Sequence, residues 1–476
     1  MSCQQGRVDQ TMTSTDFRKT VPEPLAPIAF SVPGAFETKL DNGLRIVIVQ
    51  DDRFPLVSYR LAFNWGDVND PAEEIGSTSA MASMLNEGTE NYSSLQLADE
   101  IERLGAHISV HASDDFTVLS ASTLSLYSSE ILRLAGEIAL RPTFPETELD
   151  LYRRNTVEHL RFQRSQPGFL ANEQAARLVF GEHPYARVSP TAADIEKLTR
   201  QELSAAHSRT FRPNNATFIV VGDVDREALL SEINDLFGNW PKADVESGSL
   251  SGFADRSGRT LTIVDRPGSA QSNIVLANLA IERKNPDYFP ILVMNQVLGA
   301  GASSRVFMNL REEKGYTYGA YTRIDAKKLG GDFEATAEVR TAVTGDSLKE
   351  FFYELNRIRD EAVPAEELKD AQNFLTGVFP LRAETQEGLT NLIVNQLLYD
   401  LPKDYLETYR RNIEAVTVEE VQRVAKEYVR PDEMAIVIVG DAKEIISQVE
   451  SYSDSIELFD TEGNPIEHPG QEAAAN

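Results

Sequence analysis

The alternation of apolar and polar residues predicts a mixture of strands and helices. Two alternating segments within residues 36–49 flank Asn42 and Gly43, a pair that is typical of a tight hairpin turn. A β-rich run follows at residues 56–63, and further strands are expected within residues 108–124. Apolar residues spaced three and four apart predict helices over residues 76–85, 93–104, 129–140 and 146–164. Because these elements do not follow a strict βαβ order, the pattern favours the α+β class.

An internal repeat divides the chain into two halves. Residues 211–223 read FRPNNATFIVVGD, and residues 429–441 read VRPDEMAIVIVGD. The same register continues upstream, where Thr199 and Thr417 are the predicted N-caps of equivalent helices. About 30 residues match in one frame, which predicts a duplicated chain with halves of roughly 220 residues.

The repeat and the local composition predict the domain boundaries. Pro-rich, polar residues 1–30 are expected to form an extended leader, and residues 451–476 a flexible tail. The two domains are placed at residues 31–242 and 260–450. Gly, Ser and Asp cluster in residues 243–259, which predicts a linker between them.

Charge and cysteine content exclude several classes of protein. The 476 residues include 74 acidic and 46 basic side chains, for a formal net charge of −28. Such a charge argues against nucleic-acid and anionic-membrane binding, and no apolar run is long enough to span a bilayer. The one cysteine, Cys3, excludes an internal disulfide framework. A Cys before a polar stretch is also typical of a processed bacterial lipoprotein, which would be periplasmic or membrane-anchored. The alternative is an ordinary unpaired Cys in a protein that is otherwise cytoplasmic.

Six segments carry a resemblance to a known family by their order and spacing. They are residues 40–48 (LDNGLRIVI), 76–89 (GSTSAMASMLNEGT), 183–185 (HPY), 266–272 (RPGSAQS), 298–305 (LGAGASSR) and 310–318 (LREEKGYTY). The chain resembles the pitrilysin or insulinase family of zinc metallopeptidases, whose relatives include the mitochondrial processing peptidases. This resemblance implies two domains that face each other across a cavity, each with an antiparallel-rich sheet packed with helices.

The residues of the family's zinc site are replaced in this chain. The family carries a His-x-x-Glu-His helix, in which two His bind Zn²⁺ and the Glu is the general base. Ser79 and Ser83 stand at the two His positions, and Ala82 stands at the Glu position. The third ligand of the family is a Glu on a later helix, and His159 occupies its position. We therefore expect no zinc or other cofactor in this chain.

The remaining histidines leave one alternative open. The chain has six His, and neither His-Glu-x-x-His nor His-x-x-Glu-His occurs in it. His107 and His111 stand four residues apart in a β-rich stretch. They are either ordinary surface or structural residues or, with His159, part of a metal site of another kind.

The second half keeps residues that the resemblance connects with substrate. In active relatives an Arg, and a Tyr seven residues later, reach the substrate; Arg311 and Tyr318 match this pattern. A guanidinium and a phenol can stabilise the negative charge that develops on a scissile carbonyl. Gly299 and Gly301 lie in a turn that could form a mobile, peptide-contacting loop, with Ser303 or Ser304 capping the next helix. Alternatively, Arg311 complements a helix dipole and Tyr318 is part of ordinary β packing.

Some members of the family divide these roles between two chains of the same fold, and this chain resembles the one that lacks the zinc motif but keeps the Arg and Tyr. The resemblance therefore implies a noncatalytic, substrate-binding subunit of a heterodimeric zinc metallopeptidase. A homologous partner with the His-x-x-Glu-His motif would supply the zinc, and a peptide would be the substrate. No activity is expected from this chain alone. The alternative is a structural or scaffold protein of the same fold, and a third hypothesis is an independent peptidase with an altered metal centre.

Overall fold

The computed structural model describes residues 31–245, 250, 252–253 and 256–467. The predicted leader with Cys3, the end of the predicted tail and part of the predicted linker lie outside the described residues. Within them the chain forms two six-stranded sheets, each packed with helices. The prediction of an α+β fold is therefore confirmed.

The first sheet is built from the first half of the chain. Its strands are β1 (Ala35–Lys39), β2 (Arg45–Gln50), β3 (Leu56–Phe63), β4 (His107–Ala112), β5 (Thr117–Leu124) and β6 (Ala216–Gly222). They lie in the order β1-β2-β6-β3-β5-β4. Only the β2–β6 pair is parallel, so the sheet is rich in antiparallel pairs. The hairpin predicted around Asn42 and Gly43 is confirmed as β1 and β2.

The second sheet repeats this order with one exception at its edge. Its strands are β7 (Thr260–Asp265), β8 (Gln271–Leu279), β9 (Thr317–Ala326), β10 (Gly331–Arg340), β11 (Ala435–Gly440) and β12 (Ile456–Phe459), in the order β12-β7-β11-β8-β10-β9. The outer strand of the first sheet, β1, is antiparallel to β2, whereas β12 runs parallel to β7. Since β12 lies within residues 451–476, the prediction of a tail without structure is wrong for that segment.

Sixteen helices occur in the described residues, eight from each half. The first half contributes α1 (Ser77–Met84), α2 (Ser94–Arg103), α3 (Ser128–Leu140), α4 (Glu146–Arg164), α5 (Pro167–Phe180), α6 (Ala192–Lys197), α7 (Arg200–Thr210) and α8 (Arg226–Phe237). The second half contributes α9 (Tyr288–Leu298), α10 (Arg305–Phe307), α11 (Thr344–Asp360), α12 (Ala365–Arg382), α13 (Gln386–Leu398), α14 (Tyr405–Glu414), α15 (Val418–Tyr428) and α16 (Ala442–Val449). Thr199 and Thr417 form the capping boxes of α7 and α15, as the repeat predicts. Over the described ranges, no helix combines the length and the apolar character needed to cross a bilayer.

Each half places one helix on the sheet of the other half. Helix α5 packs against β8 and β11 of the second sheet, and α13 packs against β3 and β6 of the first. Leu170 and Phe180 of α5 are buried in one apolar cluster with Val275 and Val437. This exchange joins the two halves through a shared core, since burial of apolar surface is the main favourable contribution to folding.

The described part of the predicted linker is packed against the first half. The Phe253 ring lies 4.5 Å from the His183 ring and 5.9 Å from the Phe180 ring, measured between centroids. Arg256 Nη1 donates to the Leu178 carbonyl oxygen at 2.5 Å. A hollow of about 310 Å³ is lined by residues of both halves, including Val47 and Ile393. The contacts of Phe253 and Arg256 hold the joining segment against α5 and the residues that follow this helix.

Candidate functional site

A buried carboxylate fixes the start of the helix that the zinc motif would occupy. Asp70 accepts hydrogen bonds from the backbone N–H groups of Gly76 and Thr78, at 2.8 and 3.1 Å. It also accepts from the hydroxyls of Ser77 and Thr78. The first N–H groups of a helix lack partners within the helix, and an acidic side chain there is favoured by the helix dipole. Asp70 therefore sets where α1 begins and which face it presents.

The two serines of the zinc window are bonded within the protein. Ser79 Oγ donates to both carboxylate oxygens of Asp67, at 2.7 and 2.9 Å. Ser83 Oγ donates to the backbone carbonyl of Ser79, one turn earlier, at 2.9 Å. Ala82 is buried. A network of hydroxyls and one carboxyl thus occupies the place where the family has two imidazoles and a general base.

Helix α4 adds a phenol to this network and turns its histidine to solvent. Burial raises the pKa of Tyr152, and hydrogen bonding with Thr156 and Ser83 opposes that shift. His159, at the position of the third metal ligand, is exposed. The structure therefore brings Tyr152, and not His159, to Ser83. The pattern of metal-ligand positions gave no sign of this tyrosine.

The other candidate histidines lie elsewhere. His107 and His111 are exposed on β4, the edge strand of the first sheet. In the part of the chain that the structure describes, no three His, Cys, Asp or Glu side chains gather in a way that could hold a metal ion. Zinc sites in proteins use three or four such ligands. The residues present at the degenerate window do not fit a zinc ion.

Asp67 has an unusual electrostatic environment that sequence reasoning missed. Burial, together with the charges of Asp70 and Asp114, raises its pKa to about 7, although the hydrogen bonds from Ser79 oppose the shift. This carboxyl therefore changes charge near neutral pH. This carboxyl can hold or release a proton, but the serines beside it are poor zinc ligands, so these residues do not provide the family's zinc site.

Arg311 lies in the second half, in a wide helical turn. Residues Met308–Glu313 form a π-helical segment directly after α10, and such segments are frequent at functional sites. The guanidinium carbon of Arg311 lies 4.8 Å from the centre of the Phe307 ring, and its Nε is 3.5 Å from Glu312. Phe307 in turn packs against Tyr321, with ring centres 5.5 Å apart. Arg311 is thus supported by an aromatic face while its side chain remains 44% exposed.

Tyr318 is presented to solvent by a β-bulge. In the pairing of β9 with β10, Tyr318 and Gly319 together lie opposite Glu338. A bulge locally redirects the side chain that it carries, and Tyr318 is 91% exposed. The alternative of ordinary β packing is therefore wrong for Tyr318, although it describes Tyr321, whose ring packs on Phe307.

The glycine-rich turn is bonded to the strand that carries Tyr318. The Thr322 N–H donates to the Gly299 carbonyl at 2.9 Å, and a Cβ on Gly299 would lie 2.3 Å from Thr322 Oγ1. Only glycine permits this approach. Ser304 is the N-cap residue of α10, although its hydroxyl donates to the Gly301 carbonyl at 2.6 Å and forms no capping hydrogen bond. Gly299 therefore has a packing role in addition to any role toward a ligand. Ser303 is not the N-cap residue of α10.

Sequence comparison relates the chain to relatives of a single family. The model of the insulinase family, peptidase family M16, matches residues 45–185, and the model of the peptidase M16 inactive domain matches residues 197–375. The non-peptidase homolog YmxG of Helicobacter pylori is 22% identical over 413 residues, which cover 84% of this chain and 93% of the relative. The uncharacterized zinc protease YmxG of Bacillus subtilis is 20% identical over 396 residues, covering 82% and 95%.

Comparison with solved structures agrees with the sequence comparison. The peptidase M16 inactive domain from Pseudomonas fluorescens superimposes with a TM-score of 0.79 at 26% identity, covering 86% of this chain and 98% of that one. A protease from Helicobacter pylori has the same fold, with a TM-score of 0.80 at 20% identity and coverage of 86% and 100%. The two family models together match well over half of the chain. The chain belongs to the insulinase family of peptidases, family M16.

Proposed function

We propose that this protein is the noncatalytic, substrate-binding subunit of a heterodimeric zinc metallopeptidase. The observation that carries the proposal is the presentation of Tyr318, 91% exposed on a bulge, in a chain whose zinc-ligand positions hold serines. An exposed tyrosine on a redirected strand contributes little to folding, so its position favours a role in binding. The name of the Helicobacter pylori relative, a non-peptidase homolog, supports the noncatalytic part of the proposal.

Arg311 and Tyr318 would hold the peptide that a partner cleaves. The Arg311 guanidinium can donate to a peptide carbonyl, because its ionic contact with Glu312 is long, at 3.5 Å, and exposed. The Tyr318 hydroxyl can donate to a second carbonyl, or to the oxygen that gains negative charge during cleavage. Zinc bound by the partner's His-x-x-Glu-His motif would supply the activated water. This chain would bind and orient the substrate.

Reconstitution with a partner tests the proposal. The full chain is mixed with a family member from the same genome that carries the His-x-x-Glu-His motif, and cleavage of a fluorogenic peptide library is followed. We expect activity that neither chain shows alone, and a fall in kcat/KM of about 100-fold for Arg311→Ala and about 10-fold for Tyr318→Phe. Tyr321→Phe, on the same strand, is the matched control and should leave kcat/KM unchanged. If all three variants behave like the unmodified chain, the scaffold hypothesis is favoured instead.

The metal content of the isolated chain tests the noncatalytic part separately. After dialysis against trace zinc, elemental mass spectrometry should find less than about 0.1 zinc per chain, because serine hydroxyls are poor zinc ligands. A value near one zinc per chain would support the third hypothesis, an independent peptidase. His107, His111 and His159 would then be replaced in turn to find the ligands.

A further inference from the structure

A cavity in the second half occupies the place that corresponds to the degenerate zinc window of the first. Helix α9 follows β8 as α1 follows β3, and α12 follows α11 as α4 follows α3. Between α9, α12, α13 and α14 lies a cavity of about 770 Å³, which also touches Ala300 of the glycine-rich turn. This volume falls within the range of small-molecule sites, roughly 300–1,000 Å³. The cavity does not include Arg311 or Tyr318.

Aromatic rings form much of the wall of this cavity. Phe379 and Tyr409 are stacked, with ring centres 4.2 Å apart and planes inclined by 12°. Tyr405 lies 6.1 Å from Tyr409, and Tyr288 and Phe374 complete the aromatic part of the lining. Flat apolar faces of this kind bury the body of a ligand that is itself flat or apolar.

A buried arginine reaches this aromatic wall. Arg283 is 7% exposed, and its Nη2 donates to the Tyr405 hydroxyl at 2.7 Å. Its guanidinium carbon lies 3.7 Å from the centre of the Tyr288 ring. Arginine has five N–H donors, and the Tyr405 contact uses one of them. Arg283 also lines the cavity, so a ligand that enters can contact it.

No protein anion balances the charge of Arg283. Among the residues that the structure describes, no carboxylate forms an ion pair with it; of the nearby acids, Asp400 is paired with Lys284 and Asp287 with Arg423. Burial raises the pKa of Tyr405, so this phenol is neutral and supplies no counter-charge. A buried cation without an anion is costly, and aromatic faces offset only part of that cost.

A second buried polar group faces the same cavity without a partner. Gln296 lines the cavity and is 8% exposed. In the described part of the chain its amide forms no hydrogen bond, and its Nε2 lies against Gly301. Buried amides are normally hydrogen-bonded. Together with Arg283, Gln296 provides the few convergent polar groups that characterise a ligand pocket.

We propose that this cavity binds an apolar carboxylate, with its carboxylate at Arg283 and its apolar body against Phe379 and Tyr409. Either a peptide ending in an apolar residue or a small aromatic acid carries this chemistry. Gln296 would hydrogen-bond the polar part of the ligand, and the exposed Arg382 at the rim would attract the anion. The proposal does not depend on the proposed function, since a single chain suffices for binding.

Ligand titration tests the proposal and distinguishes the two sources. The purified full chain is titrated with 3-phenylpropionate and with Gly-Gly-Phe, each compared with its uncharged amide, and binding is measured by calorimetry and saturation-transfer NMR. We expect at least one acid to bind, and its amide to bind roughly tenfold more weakly, because a charge-assisted hydrogen bond is lost. Binding of Gly-Gly-Phe alone identifies a peptide C-terminus, and binding of 3-phenylpropionate alone identifies a small acid. If neither acid binds, or if the amides bind equally well, the proposal is wrong.

Two variants locate the binding site. Arg283→Gln removes the charge and should weaken binding of the acid roughly tenfold, to the affinity of the amide. Leu392→Trp, on α13, places a larger side chain into the cavity and should abolish binding while leaving Arg283 intact. Lys349→Gln, an exposed residue away from the cavity, is the charge-matched control. Circular dichroism checks that each variant is folded, and if Arg283→Gln does not fold, Leu392→Trp decides the outcome. Undiminished binding to folded Leu392→Trp would contradict the proposal.

Discussion

The two halves of this protein have the same strand order but place different chemistry at equivalent helices. In the first half, Ser79 of α1 donates to the Asp67 carboxyl, Ser83 donates to the Ser79 carbonyl, and Tyr152 of α4 is hydrogen-bonded with Ser83. In the second half, the corresponding helices leave a cavity of about 770 Å³ lined by the buried Arg283, with which no carboxylate of the described residues forms an ion pair. The strands form the common frame of the two halves, since β6 and β11 are buried along their whole length, whereas the equivalent helices carry different side chains.

The halves also differ at their outer sheet edge. The first sheet is completed by a hairpin strand and the second by a strand from near the C-terminus. By contrast, the exchange of helices α5 and α13 is reciprocal. The shared core is therefore the feature that makes the two halves interdependent, and it can be tested directly.

The largest effect is expected where the halves share their core. Phe180→Ala removes a buried ring of α5 from the cluster that includes Val275 and Val437, which should lower the free energy of unfolding by about 3–5 kcal/mol. Urea unfolding followed by circular dichroism and by tryptophan fluorescence should show one shared transition, shifted to lower urea. Phe162→Ala, at a position 62% exposed, is the control. Two separate transitions, with only one shifted, would show that the halves fold independently.

A second comparison uses equivalent glycines of the repeat. Gly222 has φ +150°, and a Cβ there would lie 2.3 Å from the Leu56 carbonyl oxygen and 2.7 Å from Gln386 of α13. Gly222→Ala should therefore cost about 2–4 kcal/mol. At Gly440 the nearest atom to an added Cβ is the end of the Ile445 side chain, which can move, so Gly440→Ala should cost about 1 kcal/mol. Urea unfolding of both variants measures the difference, and equal costs would contradict this account.

The carboxyl in the first half predicts a pH dependence. The pKa of Asp67 in the folded protein, about 7, lies above its value of roughly 3.9 in an unfolded chain, because of burial. Between these values the native state binds more protons, so the contribution of Asp67 to stability falls as the pH rises through this window. Asp67→Asn removes this pH dependence. The free energy of unfolding of the variant, minus that of the unmodified protein, should therefore increase by about 2 kcal/mol from pH 5.5 to pH 8.

Urea unfolding at both pH values measures this change. Asp235→Asn, which alters an exposed acid on α8, serves as the control. A stability difference for Asp67→Asn that does not vary between pH 5.5 and 8 would show that this carboxyl does not titrate near neutrality.

The smallest effect on stability is expected at the proposed binding residue. Tyr318→Ala should change the free energy of unfolding by less than about 0.5 kcal/mol, because the side chain is almost fully exposed. Tyr321→Ala, three residues later, loses the contact with Phe307 and should cost about 1 kcal/mol. Thermal unfolding of the two variants compares them. A larger cost for Tyr318→Ala than for Tyr321→Ala would indicate a structural role for Tyr318.

Much of the fold was predictable because local patterns determine local structure. Helix α4 has the bounds that its apolar spacing predicts, residues 146–164, and strand β3 has the predicted bounds, residues 56–63. The helix N-caps at Thr199 and Thr417 could also be predicted from the sequence, since each cap and its partner lie three residues apart. Strand β12 was missed because its short, polar-flanked sequence becomes a strand only by pairing with β7.

By itself, the sequence determined the duplication, the α+β class, the family, and the loss of the zinc ligands at Ser79, Ala82 and Ser83. These properties depend on residue identity and on spacing along the chain. Packing in three dimensions brings Asp67 to Ser79 and Tyr152 to Ser83, exposes Tyr318 on a bulge, and places Arg283 in a cavity where no carboxylate of the described residues pairs with it. The physical reason is that burial and charge balance depend on segments distant in sequence, which meet only when the sheets and helices pack.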